Sequence, residues 1–259
     1  MSAIDIQAAL EFAQECAWQA GRISLGYFQT GVAPERKADN SLVTIADQQA
    51  EQKIRQMIAA RWPDHNIIGE EYANKTGDSP YTWIVDPIDG TKSFVHGVPF
   101  YANLLALVDS EGPLIGVANY PALNEMVFAA RGMGCYWNGR RCSVSVVDRL
   151  EKAAVMTSEI EAFKTPPTPR SKIWQQLMDA TYLQRTWGDA YGYALVATGR
   201  AEVMFEPALK IWDAAPFLVI MEEAGGTFTD WEGQRKIDTG NALATNGLLY
   251  ESVMAIVKG

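Results

Sequence analysis

Hydrophobic positions divide the chain into two N-terminal helices, a central run of strands and a C-terminal half in which strands and helices alternate. Apolar side chains recur every three or four positions across residues 4–28, which predicts an amphipathic helix. A second helix is predicted from Thr44 to about Arg61, because Pro63 disfavours helix in the residue before it. The polar segment 31–40 between them is predicted to be a loop.

The middle of the chain has the β-branched and aromatic composition of strands. A short strand is predicted at Ile67 and Ile68, and another from Tyr81 that ends on Asp86, because Pro87 stops the pairing. Antiparallel strands are predicted at residues 102–108, 114–119 and 125–130. Asn138-Gly139 predicts a hairpin turn, and residues 144–147 are a candidate further strand.

From about residue 153 strands alternate with helices. Strands are predicted at 153–157, 182–186, 202–206 and 242–245, and helices at 171–180, 190–198, 212–224 and 248–257. A Pro-rich loop is predicted at 161–169. The pattern predicts two sheets with helix layers, the first antiparallel and the second α/β. Because no linker composition is visible, we expect a single domain over 1–259 with two subdomains, about 1–150 with an antiparallel sheet and about 151–259 of α/β type.

Composition excludes several classes of protein. The 259 residues are 48% hydrophobic with a net charge of −9, and this acidic balance disfavours broad binding to nucleic acid or anionic membrane. Three cysteines without CxxC spacing predict no disulfide framework and favour a reducing compartment. With no secretory signal and no apolar run of spanning length, a cytoplasmic location is expected.

The residue types available for chemistry are mainly carboxylates, because the chain has only two histidines. Asp86 and Asp89 flank the point where the central strand gives way to a helix. Asp89 is predicted to cap that helix, and Gly90 allows a ligand close to the backbone. Free amides of Gly90 and Thr91 attract phosphate, and clustered carboxylates attract Mg²⁺. The alternative, an ordinary turn with an Asp cap, stays open on these residues alone.

Further acids lie at element ends. Glu70 and Glu71 end a predicted strand, Asp213 lies near the start of a helix, and Asp47 follows Thr44 by three positions. Each has a structural interpretation: a solvated turn, an acid favoured by the helix dipole, and a helix capping pair, respectively. Together these interpretations require several coincidences in one chain, so metal-assisted phosphoryl chemistry is the stronger hypothesis.

Several motifs together resemble the inositol monophosphatase family. They are Leu42 to Asp47, Gly69-Glu70-Glu71, Trp83 to Thr91, Trp212-Asp213 and Glu223 to Gly226. The resemblance runs from about residue 40 to the end of the chain. It implies a layered αβαβα sandwich of the inositol monophosphatase / fructose-1,6-bisphosphatase type. It also implies a homodimer that hydrolyses small phosphate monoesters with two to three Mg²⁺ ions per subunit.

The resemblance also implies residue roles. One Mg²⁺ is assigned to Glu70, Asp86 and the carbonyl of Ile88, and a second to Asp86, Asp89 and Asp213, while Glu70 holds a third, looser ion through waters. Thr91, oriented by Asp47, is expected to help activate the attacking water, with assistance from Glu71. The Gly90 and Thr91 amides are expected to bind the phosphate.

The substrate is indicated by a second resemblance, to the histidinol-phosphatase branch of the family. It is carried by residues 185–200, which include Trp187-Gly188-Asp189, and by residues 94–99 and 243–249. It implies that Asp189 faces the cationic end of histidinol phosphate, with Glu206 and Arg185 as further contacts, in histidine biosynthesis. The alternative is that Asp189 caps the helix at Ala190.

Two other functions stay open at this point. One is a phosphatase of the same family acting on inositol phosphate or a broader set of sugar or nucleotide phosphates. The other is a regulator that binds RNA or a transcription partner. The acidic composition and the complete carboxylate set argue against a purely regulatory role.

Overall fold

The computed structural model of the protein describes residues 4–158, 160–163 and 169–259. Part of the predicted Pro-rich loop at 161–169 therefore lies outside the described residues. The helices are α1 (Ile6–Tyr27), α2 (Ile45–Arg61), α3 (Thr91–Val95), α4 (Pro169–Ala180), α5 (Ala190–Ala197), α6 (Ile211–Glu223) and α7 (Tyr250–Lys258). None of these helices, over the residues described, is long and apolar enough to cross a membrane.

The strands follow the predicted order with a few additions. They are β1 (Glu35–Arg36), β2 (Leu42–Val43), β3 (Asn66–Gly69), β4 (Thr82–Asp89), β5 (Ala102–Asp109), β6 (Gly112–Tyr120), β7 (Glu125–Ala130), β8 (Gly134–Trp137), β9 (Arg140–Cys142), β10 (Ala154–Met156), β11 (Leu183–Arg185), β12 (Val203–Glu206), β13 (Thr227–Thr229) and β14 (Ala242–Thr245). Short hairpin β1–β2 and strand β13 were not predicted.

Two sheets form the body of the protein. The larger has seven strands in the order β3-β4-β5-β6-β7-β8-β9, antiparallel throughout except for the β3–β4 pair. The smaller has five strands in the order β11-β10-β12-β14-β13 and is mixed. The seven-stranded sheet is built from residues 66–142 and the five-stranded sheet from residues 154–245.

Helices cover both sheets and fill the space between them. α1 and α2 pack on one face of the large sheet, where Ile54 meets Trp83 and Leu105 in one apolar cluster. α5 and α6 lie between the sheets, and α4 and α7 cover the outer face of the small sheet. The result is the expected αβαβα layering, with α6 in contact with strands of both sheets.

Strand β4 does not end at Asp86, as the sequence predicts, but continues across Pro87 to Asp89. Asp86 pairs with Leu104, an irregularity follows, and pairing resumes between Asp89 and Ala102. The Asn103 side chain donates to the Pro87 carbonyl at 2.6 Å, so the backbone oxygen at the irregularity is satisfied. A bulge tolerates a proline because no ladder hydrogen bond is required of it there.

The candidate strand at 144–147 is also wrong. Its backbone groups bond outside any ladder, since Val144 N donates to Ala224 O and the Asn246 side chain donates to Val147 O. The neighbouring hairpin is confirmed: Asn138 and Gly139 have φ of 49° and 75°, the conformation that an Asn-Gly turn favours.

Candidate active site

Three carboxylates converge where β4 ends against the start of α6. Asp86 and Asp89 come from β4 and Asp213 from the first turn of α6, and one oxygen of each lies within 4.8 Å of the others. Asp86 and Asp89 are buried, and Asp213 is half-buried. Asp213 is 127 positions from Asp86 and 124 positions from Asp89 in the sequence, and the fold brings the three into one acidic cluster.

Each of these carboxylates has one oxygen fixed by a backbone amide. Ile88 N donates to Asp86 at 3.0 Å, Ala190 N to Asp89 at 2.7 Å and Lys210 N to Asp213 at 2.6 Å. Asp89 therefore does not cap α3 as predicted. The helix begins after Gly90, whose φ of 78° is accessible to glycine, and it has no side-chain cap.

The electrostatics of the cluster favour a bound cation. Burial and then the neighbouring carboxylates raise the pKa of Asp86 and of Asp89 well above the usual range. Burial raises the pKa of Asp213 to about 7, against the Lys210 amide, which lowers it. Several carboxylates that repel one another in a buried place are stabilised by a divalent ion, and an all-oxygen donor set suits Mg²⁺. The residues present therefore fit the metal that the sequence implies.

Glu70 and Glu71 lie beside this cluster and share a lysine that the sequence did not single out. Lys37 Nζ is 2.8 Å from Glu70 Oε1 and 2.7 Å from Glu71 Oε1. Lys37 lies in the turn of the β1–β2 hairpin. Burial raises the pKa of Glu71 to about 7, while the hydrogen bond from Lys37 lowers it.

An ion pair between Glu51 and Arg55 on α2 contacts the backbone at Glu71. Glu51 on α2 accepts from Arg55 Nε at 2.7 Å and from the Glu71 backbone amide at 2.8 Å. A Cβ on Gly69 would lie 2.1 Å from a Glu51 carboxylate oxygen, so the strand before the glutamates needs glycine there. The i,i+4 spacing of Glu51 and Arg55 was the signal that could have pointed to this pair.

Asp47 caps α2 and also contacts the Thr91 hydroxyl. Its Oδ2 accepts from Thr44 N at 2.8 Å, which completes the predicted capping box of α2. Its Oδ1 lies 3.3 Å from Thr91 Oγ1, and the same hydroxyl lies 3.0 Å from the Ile88 carbonyl oxygen. Burial raises the pKa of Asp47 to about 6, against the Thr44 hydrogen bonds.

The acids open into a cleft of about 600 Å³. Its walls carry Glu70, Asp86, Ile88, Asp89, Gly90, Thr91, Asp189 and Asp213 together with Lys37, Lys92 and Lys210. Three lysines around buried carboxylates give a rim that attracts anions and a floor that attracts cations. That combination suits a phosphate bound next to metal ions.

A smaller pocket of about 60 Å³ adjoins the cleft and shares Asp89, Asp189 and Asp213 with it. Glu206 lines this pocket and accepts from Ser158 Oγ at 2.5 Å, while its other oxygen and the Tyr193 hydroxyl have no hydrogen-bond partner among the described residues. Burial raises the pKa of Glu206 to about 8.

Asp189 is placed between the two cavities. It precedes α5 but makes no side-chain cap hydrogen bond to that helix, whose Ala190 amide is bound by Asp89 instead. One Asp189 oxygen lies 2.8 Å from the position that a Cβ on Gly90 would take. The capping alternative for Asp189 therefore has no support in the hydrogen bonds of α5.

Arg185 is not among the residues that line either cavity. It is exposed at the end of edge strand β11, with its guanidinium 5.7 Å from the centre of the Trp187 ring and a hydrogen bond to Gln184 O. Within the described chain, the other predicted ligands and contacts are gathered at the cleft or its side pocket, and Arg185 stands apart.

Comparison with known proteins gives consistent matches over the whole length. The model of the inositol monophosphatase family matches residues 5–258. The chain is 40% identical to a histidinol-phosphatase of Chlorobaculum parvum over 98% of this chain and 97% of that protein, and 36% identical to one of Mycobacterium tuberculosis over 98% of each. The crystal structure of the extragenic suppressor protein suhB from Bartonella henselae superposes with a TM-score of 0.90 at 31% identity, covering 97% of this chain and 98% of that one.

Proposed function

This chain belongs to the inositol monophosphatase family and is a phosphatase, and we propose that it hydrolyses L-histidinol phosphate to L-histidinol and phosphate with bound Mg²⁺. One observation carries the proposal: a cluster of buried carboxylates faces a cleft whose wall also presents Asp189. The carboxylate cluster suits a phosphate ester bound with metal ions, and Asp189 suits a cationic alcohol.

Metal binding is assigned to the carboxylates at the cleft floor. In this proposal Glu70, Asp86 and the Ile88 carbonyl hold one Mg²⁺, Asp86, Asp89 and Asp213 hold a second, and Glu70 supports a third. Thr91 has one hydroxyl proton, so when it donates to Asp47 the Ile88 carbonyl oxygen, 3.0 Å from that hydroxyl, keeps both lone pairs for a metal. When bound, such ions stabilise negative charge on the attacking and leaving oxygens of an in-line displacement.

Proton handling is assigned to Thr91 and Asp47. When the Thr91 hydroxyl donates to Asp47 over the observed 3.3 Å, its own lone pairs face away from that bond and are available to orient a water. Asp47 is held in turn by Thr44, so the hydroxyl is oriented by a fixed acceptor. Glu71 lies in the same acidic group, with a pKa raised to about 7, and is proposed to assist as a base near neutral pH.

Phosphate binding is assigned to the start of α3 and to the lysine rim. Gly90 has a positive φ and immediately precedes α3. The amides of Gly90 and Thr91 come before the first hydrogen-bonded turn of that helix, so they have no partner within it. Lys92 and Lys210 add positive charge at the mouth of the cleft, and Lys37 partly neutralises Glu70 and Glu71. The carboxylates alone would repel a phosphate dianion, and these groups offset that repulsion.

Substrate selection is assigned to Asp189 and Glu206. Histidinol carries an ammonium and a titratable imidazole, whereas inositol is a neutral polyol. Asp189 lies between the cleft and the side pocket, and Glu206 lines that pocket with one carboxylate oxygen that lacks a partner among the described residues. A charge-assisted hydrogen bond from the ammonium to Asp189 is the expected source of selectivity.

The family also supports proposals about the whole protein. We expect a cytoplasmic homodimer that acts in histidine biosynthesis and binds neither nucleic acid nor membrane, in line with its net charge of −9. Light scattering at physiological salt would measure the assembly. A nucleic-acid titration in the same buffer would test the regulatory alternative, and binding at micromolar protein would support it.

The substrate proposal is tested by comparing kcat/KM for L-histidinol phosphate, inositol-1-phosphate and fructose-1,6-bisphosphate in excess Mg²⁺. We expect the highest value for histidinol phosphate, by about tenfold or more, since one charge-assisted contact is worth roughly 1.5–3 kcal/mol. A higher value for inositol-1-phosphate would assign the alternative function, and equal values would assign a broad-specificity phosphatase.

A further inference from the structure

Two of the three cysteines face each other across the β8–β9 hairpin. Cys135 and Cys142 are directly opposed in the strand register, and their Sγ atoms are 3.4 Å apart. Both are free thiols, as is Cys16, which is buried in α1. We propose that Cys135 and Cys142 form a reversible dithiol–disulfide site that reacts with low-molecular-weight disulfides through Cys142.

The backbone geometry of the hairpin already suits a disulfide. Opposed residues of antiparallel strands have Cα atoms roughly 4.5–5.5 Å apart, and disulfides span Cα separations of about 4.4–6.8 Å. The two sulfurs must approach from 3.4 Å to about 2.05 Å. Side-chain rotation can supply that movement, because the strands are already held in register by the Asn138-Gly139 turn.

The two thiols differ in access, which fixes the order of reaction. β9 is the edge strand of the seven-stranded sheet and its Cys142 is half-buried, whereas Cys135 is buried in the core. A soluble reagent therefore reaches Cys142 first. Cys135 lies behind it, in contact with its sulfur, and is placed to attack an adduct formed there.

The charges near the pair favour the same order. The contact with Cys135 lowers the pKa of the Cys142 thiol, burial opposes this, and the Arg200 guanidinium lowers it further. The Arg200 guanidinium is anchored beside the hairpin, 4.2 Å from the centre of the Trp137 ring and 2.8 Å from Glu125. The contact with Cys142 and, after it, burial both raise the pKa of Cys135. The thiolate, which is the nucleophile, is thus favoured on the more accessible cysteine.

The reaction with oxidised glutathione balances in two exchanges. The Cys142 thiolate attacks one sulfur of the reagent, so that a Cys142–glutathione bond forms and the other glutathione leaves as a thiolate. Cys135 then attacks the Cys142 sulfur, the bond from Cys142 to glutathione breaks, and the thiol proton of Cys135 passes to the departing glutathione sulfur. Both cysteines are oxidised by one electron each, and the reagent disulfide is reduced to two thiols.

The site is separate from the phosphate chemistry, so the inference does not rest on the proposed function. The hairpin is joined to the far end of α6, where the Gly132 and Gly134 amides both donate to Glu223 at 2.6 Å. Asp213 is ten residues earlier in α6, about 15 Å away along the helix axis.

To test this, the full-length protein is incubated with oxidised and reduced glutathione at defined ratios and quenched with acid. The mass of the intact protein is then measured by mass spectrometry. We expect wild type to lose two hydrogen atoms, with peptide mapping that links Cys135 to Cys142, and reduced glutathione to reverse the change. Cys135→Ser should stop at a single glutathione adduct on Cys142. Cys142→Ser should carry neither the adduct nor the disulfide.

Several results would overturn the proposal. They are a wild-type protein that stays reduced in fully oxidised glutathione, a disulfide that maps to Cys16, and a Cys142→Ser variant that acquires an adduct on Cys135. Mapping of the wild-type protein needs no substitution, so a poorly folding serine variant does not remove the test. Cys16, whose pKa burial raises to about 12, is the internal control and should remain unmodified in every sample.

Discussion

Among single residues, Asp89 is the one whose charge we expect to matter more to metal binding than to folding. Its carboxylate accepts from the Ala190 amide at 2.7 Å and contributes to the cluster with Asp86 and Asp213. An asparagine keeps a carbonyl oxygen for the amide and loses the charge. The asparagine variant should therefore still fold, and it should bind the metal more weakly than wild type.

We therefore expect Asp89→Asn to lower kcat for histidinol phosphate by more than about tenfold, a barrier increase above about 1.4 kcal/mol, while thermal unfolding stays cooperative. Asp230→Asn is the matched control, because Asp230 is also buried and accepts from a backbone amide, that of Gln234, at 2.7 Å. Asp230 lines neither the cleft nor the side pocket. An Asp89 variant that keeps more than a tenth of wild-type kcat is incompatible with a ligand role.

Asp189 should control which ester is hydrolysed. Because its charge faces the proposed ammonium site, Asp189→Asn should lower kcat/KM for histidinol phosphate by about ten- to a hundredfold. Glycerol-2-phosphate, which has no cationic group, should be hydrolysed at nearly the wild-type rate, since the carboxylate cluster is intact. Equal losses on both esters would make Asp189 a structural residue.

The site residues that could be predicted from the sequence are those that belong to a short local motif. Asp86, Asp89 and Gly90 form one short motif, and the Thr44–Asp47 spacing is that of a capping box. Lys37 was missed because it meets Glu70 only after the β1–β2 hairpin folds back over the cleft. No local pattern distinguishes that lysine from an exposed one.

At the scale of elements, α6 is held against the large sheet by a contact that leaves no space. A Cβ on Gly116 of β6 would lie 2.2 Å from the Pro216 carbonyl oxygen in α6. This oxygen belongs to backbone and cannot rotate away, so the helix itself must move. Since α6 carries Asp213, its position against the sheet also sets the third carboxylate of the cluster.

Gly116→Ala should lower the free energy of unfolding by roughly 1–3 kcal/mol, the usual cost of overpacking. It should also raise the Mg²⁺ concentration that gives half-maximal activity. Gly26→Ala is the control: Gly26 lies in α1 with nothing within 4 Å of its added Cβ. That change should be neutral or stabilising by up to about 1 kcal/mol. A Gly116 variant with unchanged stability and metal requirement would contradict the contact.

Elements were predictable where one local signal dominates. The predicted limits of α1, α2 and α6 are close to the observed ones, because apolar periodicity marks α1, Pro63 follows the end of α2 and Gly225-Gly226 follows α6. The rule that proline ends a strand was wrong at Pro87, because the bulge between Asp86 and Asp89 is set by pairing with β5. Residues 144–147 have strand-like composition, but their partners are Ala224 and Asn246 and not a neighbouring strand.

At the scale of the whole molecule, the buried acids couple stability to pH. Folding raises the pKa of Asp47 from 3.8 to about 6, of Glu71 from 4.5 to about 7 and of Asp213 from 3.8 to about 7. Acids with raised folded-state pKa values bind protons more tightly when folded. Their contribution to the free energy of unfolding is complete at a pH below the pKa in the unfolded protein. It is lost as pH rises through the pKa in the folded protein.

The metal-free protein should therefore melt at progressively lower temperature between about pH 4 and pH 7, where these groups lose their protons. Mg²⁺ binds the ionised carboxylates, so the gain in melting temperature on adding it should grow with pH across the same window. Thermal melts in chelator and in Mg²⁺ measure both curves. A metal-free protein that becomes more stable from pH 4 to pH 7, or a Mg²⁺ effect that is largest at acid pH, would contradict this coupling.

We propose that the carboxylates of Asp86, Asp89 and Asp213 act with Mg²⁺ on a phosphate ester. The most direct measurement is the rate of phosphate release from L-histidinol phosphate after exhaustive chelation and dialysis, and again after Mg²⁺ is restored. We expect a rate near the uncatalysed background in the chelated protein and recovery of full turnover with Mg²⁺. Full activity in the chelated protein would contradict it.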